Sequence, residues 1–165
     1  LQTVTVTGVD DFYDDDNVSY TITVDPSSSI ASYNTMTSST VTGSNIDNDT
    51  AAITVGAKSG NTSEFGTTAT INVTLATIPT ANVSIVVTDN DSTEVSITPT
   101  TLTITPSTWN TTNQVTLTGQ DDSDNDGNIT FRISFDNATS TDSKYNGMAP
   151  SPAYVDVINV DDYAD

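Results

Sequence analysis

Apolar and polar residues alternate along most of this chain. From Ile129 to Phe135 every second residue is apolar (Ile129, Phe131, Ile133, Phe135), and Val115 and Leu117 follow the same rule. A period of two marks a strand with one face buried and the other in water. This reading gives strands at about 52–55, 67–76, 82–88, 94–98, 101–105, 115–118, 127–135 and 153–160. Three more are predicted ahead of them, at about 3–7, 18–24 and 41–46. Pro79, Pro99, Pro106 and Asn146-Gly147 fall between strands, where turns are required. No useful stretch carries the spacing of an amphipathic helix, and the connections are short for intervening helices. The pattern predicts an all-β chain of short antiparallel strands, arranged as immunoglobulin-like two-sheet β-sandwich repeats.

Composition supports the strands. Apolar residues make up only 34% of the 165, but much of that share is Val and Ile, and Thr and Ser dominate the rest. β-Branched side chains fit a pleated surface better than a helix. The length suits one complete domain and part of another. The pattern opens inside a strand, so a segment of a longer protein is expected.

Charge changes the picture more. The chain has 22 acidic residues against 3 basic ones, a net charge of −19, and all the acids but Glu64 and Glu94 are aspartate. Lys58, Arg132 and Lys144 cannot neutralise that excess. Nucleic acid and anionic membranes are therefore poor partners. Divalent cations or a high-salt medium are the natural counter-charge. With no cysteine and no histidine, disulfides, thiolate metal sites and histidine-based catalysis are excluded. No run of about 20 apolar residues suggests membrane insertion.

The strands recur. With Val4 set on Val115, 111 residues away, Thr5, Thr7, Gly8, Asp10, Asp11, Asp15, Asn17, Ile22 and Asp25 all meet identical residues. After small insertions, Tyr33-Asn34 meets Tyr145-Asn146, Met36 meets Met148, and Asn45-Ile46-Asp47 meets Asn159-Val160-Asp161. A period of this length is that of a β-sandwich domain. Residues 1–50 then correspond to the C-terminal half of one repeat, and residues 51–165 to a complete one. Three strands cannot close a sandwich. Their partners are expected from upstream sequence or from another copy of the chain.

Between two strands of each copy lies an acidic loop. Asp122, Asp124, Asp126 and Gly127 form D-x-D-x-D-G, which resembles the first half of an EF-hand loop. Ile133 stands where that loop needs its last glutamate, and strands replace the flanking helices. The loop therefore needs further oxygen ligands from elsewhere. Two carboxylates about 4 Å apart repel by about 1 kcal/mol in water and about 4 kcal/mol at an effective dielectric near 20. A hard cation reverses that sign, and an all-oxygen donor set selects calcium, Ca2+, over zinc or copper, with magnesium the weaker candidate. Asp, Asn and Gly are also ordinary turn residues, and a solvated or halophilic surface is the competing reading.

Over residues 51–165 the chain resembles the Calx-β family of sodium–calcium exchangers, integrin β4 and large bacterial surface adhesins. The resemblance rests on SEFGTTATINVTL from Ser63, on LTITPSTWNTTNQVTLTGQDD, and on VINVDD at Val157–Asp162. It implies calcium at one end of the sandwich. Its ligands would be Glu64, Asp91, Asp121, Asp122, Asp126, Asp161 and Asp162, with Asp124 an extra acid in the same loop. In the half repeat the matching residues are Asp10, Asp11, Asp15, Asp47 and Asp49. Ile129 stands where the family often has an acid, and Tyr13 replaces Asp124, so the first site is expected to be weaker or incomplete.

The expected function is a calcium-stiffened structural module in an extracellular or cell-surface array, with neighbouring repeats as partners. Only Asn48-Asp49-Thr50-Ala51 separates the two repeats, too short for a flexible linker. Two alternatives stand beside it. One is a filament subunit completed by strand complementation. The other is an adhesin domain recognising a glycan or surface protein through Trp109, Tyr145 or Tyr154. An enzyme is not expected, because the aspartates are arranged as metal loops and nothing suggests a substrate pocket.

Overall fold

The computed structural model describes residues 2–123 and 125–161. The chain divides into two compact units, Leu1–Asp49 and Thr50–Asp165. Among the described residues no helix is long and apolar enough to cross a membrane.

The second unit is an all-β sandwich. One sheet has the order β4 (Thr62–Ser63), β11 (Tyr154–Val160), β10 (Ile129–Phe135), β6 (Val83–Asp89), β8 (Thr101–Ile104). The other runs β3 (Ile53–Val55), β5 (Thr68–Leu75), β9 (Asn113–Gly119), β7 (Val95–Thr98). Alternation decides which side chains face inward. In β5, Ala69, Ile71, Val73 and Leu75 are buried, and they meet Phe131, Ile133 and Phe135 of β10 in one core. Tyr145 closes that core from the β10–β11 connection. It is fully buried, and its hydroxyl donates to Thr77 O at 2.8 Å and accepts from Thr77 N–H at 3.1 Å.

The sequence pattern predicts antiparallel strands throughout, and one pair departs from it. β4 runs parallel to β11, with Thr62 opposite Asn159 and Ser63 opposite Val160. This two-residue strand is too short to show a period of its own. It forms because the chain passes the end of β11, where Glu64 N–H donates to Val160 O at 3.0 Å.

The first unit holds a two-stranded sheet, β1 (Val18–Val24) and β2 (Ser39–Asn45), joined through a four-residue helix, α1 (Ala31–Asn34). That helical turn stands where the sequence predicted only loop. The strand predicted at about 3–7 does not form; those residues carry no sheet pairing. The reason lies in its counterpart. β9, which aligns with it, is held between β5 and β7, and among the described residues the first unit has no strand in their place.

Strand for strand, β1 and β2 repeat β10 and β11. Val18 pairs with Asn45, and 111 and 114 residues later Ile129 pairs with Asn159. The turns also repeat. Asn34 Oδ1 accepts from Ser28 N–H at 3.4 Å, and Asn146 Oδ1 accepts from Ser140 N–H at 3.2 Å. Met36 N–H donates to Tyr33 O as Met148 N–H does to Tyr145 O.

Candidate functional site

The acidic end of the second unit is made by strand ends that the sheet registers bring level. Val95, at the start of β7, is opposite Gly119, at the end of β9; Ile129 is opposite Asn159, and Asn159 is opposite Thr62. Residues just beyond these pairs therefore gather at one end. They are Glu64, the 91–94 turn, residues 120–123 and 125–128 of the connection from β9 to β10, and Asp161.

Each of these acids has a definite place. Glu64 is buried at the end of β4. In the β6–β7 turn, Asp91 Oδ1 accepts from Thr93 Oγ1 at 2.6 Å. Asp121, Asp122 and Asp126 are exposed on the loop from β9 to β10. Asp161 is half-buried and ties that loop down: its Oδ2 accepts from Gly127 N–H at 2.8 Å, and its own N–H donates to Asn128 Oδ1 at 3.1 Å. Asp124 and Asp162 lie outside the described residues.

One member of this cluster is absent from the set expected on sequence. Glu94 is 4% exposed, and Asn159 Nδ2–H donates to its Oε2 at 3.1 Å. Burial raises its carboxyl above the ordinary 4.5; the Asn159 hydrogen bond works against the rise, and the charges of Asp126, Asp91 and Asp122 add to it. The alternation makes Glu94 the first residue of a strand, and nothing local reveals its depth. The available signal was compositional: Glu64 and Glu94 are the chain's two glutamates, and both are buried here.

Asn159 holds the corner together. Its amide nitrogen bridges Glu94 and Gln120 O, while its Oδ1 is buried without a hydrogen-bond partner. Gly119 is required beside it, because any Cβ at that position would run into Ser63 O and Asn159 Oδ1. Gly8 stands in the same relation to Asn45 Oδ1 in the first unit. The recurring T-G-x-D-D motif thus contains a glycine set by close approach.

The same corner is built again in the first unit. Asp47 Oδ2 accepts from Asp15 N–H at 3.0 Å and Asp16 N–H at 2.9 Å, and Asp47 N–H donates to Asn17 Oδ1 at 2.9 Å. Asp16 occupies the place of Gly127, and both have left-handed backbone, φ 65° and 75°. That conformation costs an aspartate more than a glycine. The corner geometry thus persists even where its glycine does not.

All five acids expected in the half repeat, Asp10, Asp11, Asp15, Asp47 and Asp49, line one cleft of about 240 Å³. Partial burial raises the Asp49 carboxyl above its ordinary 3.8, and the charges of Asp47, Asp10, Asp11 and Asp14 raise it further. Among the described residues, no group of three or more acidic side chains stands close enough to hold one metal ion between them. The donor chemistry nevertheless suits a hard cation: every candidate is an oxygen, and the second corner adds a buried acceptor with no donor.

The aromatics are disposed differently. Tyr145 belongs to the core and presents no surface for recognition. Trp109 is half-buried against the core. Tyr154 is half-exposed and lies under Arg132, whose guanidinium carbon is 3.7 Å from the ring centroid. Arg132 also pairs with Asp156 at 2.8 Å.

Compared with known proteins, the chain matches no family model, and no curated protein matches it.

Proposed function

We propose that the chain is a calcium-binding structural module of a tandem array at a cell surface, with a Calx-β-like acidic corner as its working part. The observation that carries this reading is the duplication of the corner. Asp47 with Asn17, and Asp161 with Asn128, make the same hydrogen bonds at equivalent positions of two units.

In the second unit the ligands would come from Glu64, Asp91, Asp121, Asp122, Asp126 and Asp161. In the first they would come from Asp10, Asp11, Asp15, Asp47 and Asp49. Calcium, when bound, supplies the positive charge that lets several carboxylates approach one another. The chain's own part is to deliver them. The Gly127 and Asn128 bonds fix the loop against Asp161.

The mechanical consequence follows from chain order. Asp47 and Asp49 line the first cleft, and the second unit begins at Thr50. Fixing Asp49 removes backbone freedom at the residue where the next unit starts, and such freedom is worth about 1–2 kcal/mol per residue. A stiffer joint suits a module that holds other regions at a distance.

Calorimetric titration with calcium chloride tests the reading. The chain is expected to bind calcium, with the heat reduced by Asp161→Asn and nearly abolished when Asp47→Asn is added. Undiminished binding by the double variant would show that the corners are not the ligands.

A further inference from the structure

The first unit presents an apolar face whose counterpart in the second unit is covered. Val4 is 82% exposed where Val115 is 0%, and Tyr33 is 58% exposed where Tyr145 is 0%. Val6, Tyr20 and Val24 are likewise exposed, while Leu117, Phe131 and Phe135 are buried. The backbone of β1 shows the same imbalance. β10 is paired on both sides, by β11 and β6, whereas among the described residues β1 pairs with β2 alone.

The second unit shows what belongs on that face. β10 is completed by β6, β9 by β5 and β7, and Tyr145 by Thr77. All of these lie within residues 51–112. We propose that the face of β1 and β2 is a docking surface for one kind of occupant. That occupant is a polypeptide segment equivalent to residues 51–112, the first half of a repeat, supplied from outside residues 1–49. It adds a strand to the open edge of β1, orders residues 3–8 between two others, and brings a backbone partner to the Tyr33 hydroxyl.

A simple exchange between two copies of this chain does not fill the role. Residues 51–112 of each copy already cover their own β9, β10 and β11. Lending them to a neighbour's first unit would bare an equal face at home, with no net burial. The occupant is therefore a first-half segment without a second half of its own.

This inference rests on the repeat part of the proposed function and not on calcium, so its test is run in chelator. A second copy of residues 51–114 is fused directly ahead of Val4 in the full chain, and backbone amide exchange is followed by NMR. Val18–Val24 amides are expected to slow by about 100-fold or more in the fusion, as local opening gives way to cooperative unfolding. Tyr33→Ala is expected to leave the melting of the parent chain unchanged and to lower that of the fusion. Equal exchange of Val18–Val24 in parent and fusion would overturn the proposal. So would a fusion that melts identically with and without Tyr33→Ala.

Discussion

Glu94 carries an electrostatic conflict in the second unit. Its carboxyl is buried, one amide hydrogen bond supports it, and three nearby aspartates oppose its ionisation. Because its folded pKa lies above the unfolded value, its full contribution to stability is present below about 4.5 and is lost as pH rises through the folded value. In chelator, stability should therefore increase as pH falls from 7 toward that range. Asp156 acts in the opposite sense. Hydrogen bonding and pairing with Arg132 lower its carboxyl below 3.8, so its contribution is lost only on further acidification. Glu94→Gln keeps an acceptor for Asn159 and removes the charge. Thermal scans in chelator at pH 7 are expected to show this variant melting higher by a few degrees, about 2–4 °C per kcal/mol recovered, with a flatter dependence on pH. A variant that melts lower at pH 7 would mean that the charge is already compensated.

At the scale of elements, alternation revealed the inward faces of β5, β6, β9, β10 and β11 because each has two faces in different environments. It could not reveal neighbours. The strand predicted at 3–7 has the apolar rhythm of β9 but not the flanking strands, so Val4 and Val6 stay in water. Thr62–Ser63 has no rhythm and still pairs, because β11 supplies a template. The acidic loops were legible from their aspartates, whereas Glu94 and Asn159 were hidden, since depth at a strand end depends on distant chain. Tyr145 and Tyr33 make the contrast measurable. Tyr145→Phe would leave Thr77 N–H and O short of a buried partner, at a cost of about 1–3 kcal/mol. Tyr33→Phe is expected to change the stability of the same chain by less than about 0.5 kcal/mol, as for an exposed site. Denaturant melts of the two single variants compare them directly, and equal losses would contradict the assignment.

At the scale of the whole chain, a net charge of −19 is carried by loops more than by strands. The strands of the second unit bury a Val, Ile and Phe core of ordinary kind, while the acids collect at strand ends and in the cleft of the first unit. Such an arrangement keeps the core apolar and concentrates like charge at two corners. We propose calcium as the counter-charge at both. The most direct measurement is the melting temperature of the full chain in chelator and in calcium well above its dissociation constant. At a hundredfold excess over that constant, binding adds about 2.7 kcal/mol, so a rise of about 5–10 °C is expected, with a smaller rise in equimolar magnesium. An identical melting temperature in chelator and in calcium would contradict the account.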